Sequence, residues 1–549
     1  MTRSDEAGNL RGFRLLSGSI GLFLLLFAAT APWQVAGREI ARFSAALAFS
    51  GLLLGLGLVA LPRARRIVTH RFLSANRHFN PESVAVGGAL AAAFLYLVVM
   101  NRYRGFEVNA WDFSFYDRPL ARPLEGGFLF NPIEGRPLLA THAYFVLLPF
   151  LPLYAIHPSA HWLLAAQSLA IAGAAVVAFY CFRRLCGDDM GACLLAFAFV
   201  LNDFTAKAVQ YVFHPEIFYP LGLFLVILGL LTRRRGIFVG GLVASLAVKE
   251  DALLPLVGLA LTASVVYRRH RWAVAALAVG LAAFALDYSI VLPHAAGGGV
   301  PPWYSHYWAK YGSSPINAAG GMFLHPFEVA RDVWHSGAWR LAGSLGFAPL
   351  LGYEWLIAAA VVFVPYGASQ APKLGHFLLY YSMPVLPLIF AAAAIGLPRI
   401  ASSAVGSRLL DNRARQRLGA LLVLLVSAFC GAGYRFTRPQ PADAPLRLAK
   451  LAGDMPLSVQ GALLPHIGYE MNYTALKQVP TAIDGAQAFL LAPDAKPYPL
   501  APEELRLLVR TLRRDPRYRI TDDRGIILAA PVAPARDGRR GQGREEKER

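Results

Sequence analysis

Runs of about twenty apolar residues recur along this chain, separated by short loops rich in arginine. No other feature limits the possible folds as strongly. A run of that length is what a helix needs to cross a bilayer, and inside lipid only a helix or a closed barrel satisfies its own backbone. The runs do not alternate as barrel strands do, so the sequence predicts a polytopic α-helical membrane protein. Composition agrees: 56% of residues are hydrophobic and 16% charged, where a soluble domain carries about 25% charge.

The arginines set the orientation. Residues 62–80 carry Arg63, Arg65, Arg66, Arg71 and Arg77 with no acid. Arg233-Arg234-Arg235, then Arg268, Arg269 and Arg271, then Arg399, Arg408, Arg413, Arg415 and Arg417 against the single Asp411 repeat the pattern. Such clusters collect on the cytoplasmic side. The net charge of +19 is accounted for by these loops and by anionic lipid. No basic, aromatic-interleaved soluble module supports nucleic-acid binding.

Counting runs between these marks gives about thirteen spans. Phe13–Ala31 and Phe43–Leu61 form an N-terminal pair, Phe13–Ala31 being read as an uncleaved span rather than a signal peptide. Asn101–Arg136, Asn202–Glu216 and Pro293–Arg340 then fall outside as loops, the last with the aromatic run Trp303-Tyr304-Ser305-His306-Tyr307-Trp308. Leu138–Ile156 is apolar enough to span, but crossing there would put Arg183-Arg184 outside, and Pro149 and Pro152 interrupt it. It is expected to lie in the interface or re-enter. The expected domains are 1–82, the first spans and their basic loop; 83–436, the membrane domain; 437–530, a small extracytoplasmic α/β domain; and 531–549, a disordered charged tail. Strands are expected at Leu457–Gln460 and Ala488–Leu491, an amphipathic helix at Pro502–Arg514, and a hairpin turning at Asp522-Asp523-Arg524-Gly525.

Chemistry-bearing residues gather toward the outer face. Asp112 and Asp117 stand five apart in the first large outer loop with Arg118, Arg122 and Arg136 nearby. They read as solvated loop acids, or as a base and a partner that binds a divalent cation or positions an acceptor. His214-Pro215-Glu216 opens a span, where Glu216 is also a natural first-turn acid. Lys249-Glu250-Asp251 interrupts apolar sequence, and charge at membrane depth faces a cavity or pairs internally. His142, His325 and His376 lie at segment boundaries. The four cysteines, Cys181, Cys186, Cys193 and Cys430, sit in or beside apolar segments without zinc-ligand spacing. No Walker loop, Gly-x-Ser-x-Gly elbow or His-Glu-x-x-His occurs.

Taken in order, Asp112-Phe-Ser-Phe-Tyr-Asp117, His142 before a Pro-rich run, Gln167, Phe213-His214-Pro215-Glu216, Lys249-Glu250-Asp251, Tyr311-Gly312-Ser313-Ser314-Pro315, His376 and Pro465-His466 resemble the domain of unknown function 2079 family of predicted multi-pass membrane proteins. The resemblance runs over about residues 85–530; Arg118 departs from the glutamine expected there. That family is in turn similar to the C-superfamily (GT-C) of membrane glycosyltransferases. The resemblance implies a GT-C-like membrane domain, a polyprenyl-phosphate sugar donor and inverting transfer to a hydroxyl of a glycan, lipid or protein acceptor. It places a catalytic base at Asp112 or Asp117. Arg118, His142, His214, Glu216, Lys249, Glu250, Asp251 and His376 are the expected substrate-binding groups. A lipid or glycan transporter and a non-catalytic scaffold are the competing expectations.

Overall fold

A computed structural model describes residues 79–532 apart from 109, 212, 299–305, 403–411, 431–432, 438–439, 442, 481–482 and 484. The first two apolar runs, most of the basic loop after them, Trp303, Tyr304 and the charged tail lie outside the described residues. Two compact units are present: Met1–Asn101 with Tyr116–Phe436, and Arg102–Phe115 with Thr437–Arg549.

Among the described residues of the first unit, four helices are long and apolar enough to cross a membrane: α1 (Pro81–Arg104), α3 (His161–Cys186), α6 (Tyr219–Thr232) with its 3-10 lead-in from Pro215, and α9 (His270–Leu286) extended to Ala295. Two bent pairs raise the number to six: α4 (Asp189–Leu201) with α5 (Asp203–Tyr211), bent by 42°, and Pro372–Ser382 with α13 (Leu386–Ser402), bent by 71°. About thirteen spans were expected from the sequence; two of them, Phe13–Ala31 and Phe43–Leu61, lie outside the described residues. Part of the remaining difference lies in short helices: α7 (Arg235–Leu246), α8 (Leu253–Val265) and α12 (Tyr353–Gly367). Twelve residues, as in α7, rise only about 18 Å against a hydrocarbon core of about 30 Å. They hold by close packing instead. A Cβ on Gly241 of α7 would meet the Val226 nitrogen of α6 at 2.5 Å, and one on Gly258 of α8 the Ala358 oxygen of α12 at 2.3 Å. Backbones approach this closely only across small residues.

Two loop readings are corrected. The Asp112–Asp117 stretch is helical, within α2 (Ala110–Ala121). Asn202–Glu216 contains α5; Asn202 breaks α4 from α5 because its side-chain Oδ1 takes the Phe204 N–H (3.1 Å) while its Nδ2 donates to Ser344 Oγ (3.0 Å). The chain from 339 to 351 divides into a turn of helix at Trp339–Gly343 and a 3-10 segment at Ala348–Leu351. Leu138–Ile156 forms two 3-10 segments and the six-residue helix Leu151–Ile156. The prolines at 149 and 152 remove donors and prevent one continuous helix. Ahead of it a ribbon pairs β1 (Phe130–Asn131) with β2 (Arg136–Pro137).

The core of this unit is an aromatic quartet. Phe182 of α3, Phe199 of α4, Phe224 of α6 and Phe390 of α13 are buried, with ring centroids 5.5–6.1 Å apart around the circuit. Edge-to-face pairs at this separation add to the area term. Outside this core, α10 (Pro315–Leu324) and α11 (Pro326–Ser336) form a helix pair that leaves Ile316, Phe323, Leu324 and Phe327 exposed. At one end, Arg417 of α14 (Asn412–Cys430) makes a buried pair with Asp188 (2.7 Å).

The second unit contains a five-stranded mixed sheet in the order β4-β3-β5-β7-β6. Its strands are β3 (Leu457–Val459), β4 (Thr474–Ala475), β5 (Ala488–Leu491), β6 (Tyr518–Asp523) and β7 (Ile526–Pro531). β3 runs parallel to β4 and β5, and β7 antiparallel to β5 and β6. Helix α15 (Pro502–Arg514) lays Leu505, Leu508, Val509 and Leu512 on Phe489, Leu491, Ile527 and Ala529. The i, i+3, i+4, i+7 spacing makes that single apolar stripe. The hairpin turns at Arg524 and Gly525, both with positive φ, and Asp522 takes the Gly525 N–H at 2.9 Å. This is the turn geometry that matches strand twist.

Candidate functional site

Two charged triplets from distant parts of the chain meet in the membrane unit. His214-Pro215-Glu216 lies where the Pro215–Thr232 span begins, with Pro215 starting a 3-10 turn where its missing N–H costs nothing. Lys249-Glu250-Asp251 joins α7 to α8. Lys249 Nζ stands 3.2 Å from Glu216 Oε1 and 3.4 Å from Asp251 Oδ2, closing one triplet onto the other. Glu250 turns the other way: its carboxylate takes the Ala143 N–H at 3.1 Å and faces His142 Nδ1 at 2.7 Å. Lys249, Glu216, Glu250 and His214 are all buried.

Charge balance explains how such a cluster persists. Three carboxylates, Glu216, Glu250 and Asp251, face one ammonium and two imidazoles. Each carboxylate has its own cationic or cationisable neighbour: His214, His142 and Lys249 respectively. Burying an unpaired charge would cost several kcal/mol, so the pairing is a condition of the fold.

Phenols fill the remaining hydrogen-bond positions. Tyr116 Oη is 2.7 Å from His214 Nε2 and donates to Tyr144 Oη at 3.4 Å. The Tyr380 ring stacks on His214 with centroids 3.4 Å apart and planes at 12°. Tyr219 and Tyr366 both donate to Asp251, the latter at 2.7 Å. An ionised Glu216 can only accept, so His214 carries its proton on Nδ1 toward Glu216. Glu216, His214, Tyr116 and Tyr144 thus form one continuous hydrogen-bonded chain.

The remaining expected residues fall around or away from this cluster. Asp117 is buried and accepts from Tyr154 Oη at 2.5 Å. Asp112 is half-buried. Both belong to α2, but the division between the two compact units runs between them. Five residues of helix turn the chain about 500°, so the two carboxylates leave α2 on faces about 140° apart. Arg118 is buried beside Asp117 in sequence. His376 donates from Nδ1 to the Ser336 carbonyl at 2.9 Å, a bond that orients it toward α11 rather than toward either triplet.

The donor set does not suit a divalent cation. Among the described residues no group of three or more His, Cys, Asp or Glu side chains is arranged to hold a metal ion. The reason is visible in the cluster: the Lys249 ammonium occupies the position between Glu216 and Asp251 that a cation would take. The tyrosines were the residues missed from sequence. Three of them lie close to a motif residue in the chain (Tyr116 beside Asp117, Tyr144 two after His142, Tyr219 three after Glu216). Adjacency was the available signal, but tyrosine in a membrane protein reads first as an interfacial residue.

No curated protein matches the chain. Among solved structures it is similar to ArnT from Cupriavidus metallidurans bound to undecaprenyl phosphate, at 13% identity and a TM-score of 0.42 over 82% of this chain and 99% of that one. The same protein in the apo state matches at 14% identity and a TM-score of 0.40 over the same shares. The profile of the family described as Predicted membrane protein (DUF2079) matches residues 102–449, more than half of the chain. With both triplets inside that range, the chain belongs to the DUF2079 family of predicted membrane proteins.

Proposed function

We propose that this protein is a membrane glycosyltransferase. It takes a polyprenyl-phosphate-linked sugar on the extracytoplasmic face and transfers it with inversion to a hydroxyl of a glycan, lipid or protein. The observation that carries the reading is the buried, charge-matched cluster at the start of the Pro215–Thr232 span. Charges at membrane depth are costly and are retained where they serve a site. The chemistry asks for three things. An acceptor hydroxyl needs a base, and Asp112 or Asp117 takes its proton. A departing lipid phosphate needs positive charge, which Lys249 and the imidazoles of His142 and His214 supply. The lipid needs a hydrocarbon-facing entry, and the described spans provide apolar walls. Glu216, Glu250 and Asp251 hold those cations in place. The arginine distribution puts residues 437–530 and this end of the span outside, in a plasma-membrane protein.

The test is transfer from a polyprenyl-phosphate sugar by the purified protein, with donor binding measured in parallel. Asp112→Asn and Asp117→Asn keep size and remove charge, and loss of a general base costs about 10²–10⁴ in rate. Full transfer by both variants would overturn the assignment of the base to α2. A second reading is transport of a lipid or glycan, favoured by the two helix pairs broken by 42° and 71°, since interrupted helices line transporter sites. Donor binding without any transfer by the parent protein would select it. A protein that neither binds nor transfers would be the scaffold.

A further inference from the structure

The Pro215–Thr232 span has a second feature at its other end. A cavity of about 740 Å³ opens between the C-terminal ends of α3 and α6 and the start of α7. From Glu216 to Thr232 the span rises about 24 Å, close to the thickness of the hydrocarbon core. The cavity therefore sits at the membrane surface opposite the charged cluster.

Its lining is graded along the helix axes. Arg183, Arg184 and Arg234 stand with Thr232 at the mouth, while Tyr180 and Leu228 line it one turn earlier on the same helices. One turn is about 6 Å of depth into the bilayer. Charge at the mouth is unbalanced. The one acid there, Asp189, is spent on Arg183 at 2.8 Å and on the Phe79 N–H at 3.2 Å. Arg184 and Arg234 are exposed and have no carboxylate partner among the described residues. Arginines at a helix end partly answer the dipole of that end. That accounts for Arg184 in the last turn of α3, whereas Arg234 stands between the C-terminal end of α6 and the start of α7, where the two helix dipoles offset each other.

We infer that this cavity binds the phosphodiester headgroup and first acyl carbons of an anionic phospholipid from the leaflet opposite the Glu216–Lys249 cluster. Two unpaired guanidiniums above an apolar throat match a phosphate joined to hydrocarbon. A zwitterionic lipid would add a cation where two are already uncompensated, and a free phosphate would leave the throat unfilled.

The experiment uses the full chain in detergent, stripped of lipid, with melting followed as lipid is added. Phosphatidylglycerol is expected to raise the melting temperature saturably, and phosphatidylcholine and glycerol 3-phosphate to have no comparable effect. A basic residue near an anionic lipid surface changes binding about fivefold, so Arg184→Gln with Arg234→Gln should weaken phosphatidylglycerol about thirtyfold. The Lys pair, R184K with R234K, should restore most of that loss. Leu228→Trp fills the throat without touching charge and should also weaken the lipid. Equal binding of phosphatidylcholine, or undiminished binding by the Gln pair or by L228W, would overturn the inference. Glycerol 3-phosphate binding as tightly as the lipid would replace it with a soluble-anion site. The Gln pair should melt like the parent without lipid, both side chains being exposed; if it does not, the L228W and Lys-pair results decide.

Discussion

Replacing Lys249 by methionine tests whether the buried cluster is a mutually dependent set of charges. The ammonium lies 3.2 Å from Glu216 and 3.4 Å from Asp251, and all three groups are largely removed from water. With an effective dielectric constant of about 20, each contact is worth about 5 kcal/mol of gross Coulomb attraction. Most of that gain is offset by desolvation of the ions. What the variant exposes is the penalty of leaving two carboxylates buried without their cation, about 3–5 kcal/mol. Methionine keeps the length of the side chain, so cavity formation adds little. The assay is reversible unfolding in mixed micelles, followed by circular dichroism. The decisive comparison is the cycle with Glu216→Gln. Lys249→Met should cost about 3–5 kcal/mol. Adding Glu216→Gln should then recover part of the loss, because the second change removes the stranded charge, with a coupling of at least about 1 kcal/mol. Strictly additive effects, or a Lys249→Met protein as stable as the parent, would refute the charge-matching argument.

Three other outcomes follow from the geometry. His466 is buried between the rings of Tyr103 (4.4 Å) and Phe106 (4.5 Å) with Nε2 unbonded, and burial pushes its imidazole down to about 3. An unfolded histidine titrates near 6.5, so only the unfolded chain takes up the proton between those values. Stability of the second unit should therefore be full above pH 6.5 and fall as pH drops toward 3, by about 2 kcal/mol at pH 5. Hydrogen-exchange protection of β3 and β5, corrected for intrinsic rates, measures this, and His466→Phe should flatten it. Gly258→Val should destabilise the membrane unit by about 1–3 kcal/mol, because the new side chain starts 2.3 Å from the Ala358 oxygen; a parent-like melting curve would mean α8 and α12 are not packed as described. Single cysteines at Gly135 and His157 should be labelled from the same side of intact membranes, since the segment between them is broken into pieces too short to cross. Labelling from opposite sides would require every later span to be recounted.

The sequence by itself determined the class of this protein and much of its second unit. Apolar runs long enough to span compel helices, because lipid offers no partner for an open backbone. The stripe Leu505, Leu508, Val509 and Leu512 and the Asp522–Gly525 turn specify a helix and a hairpin through local physics alone, and the structure has both at those positions. The triplets His214-Pro215-Glu216 and Lys249-Glu250-Asp251 were also legible one at a time, as charge where charge is costly. Their meeting was not. Residues 216 and 249 are joined by a helix pair whose packing rests on Gly222, Gly229 and Gly241 approaching the facing backbone, and no local pattern reports how two helices will cross. The same holds for the tyrosines. Tyr116, Tyr144, Tyr219, Tyr366 and Tyr380 come from five segments, and only the tertiary structure turns their phenols and rings onto one histidine and one aspartate.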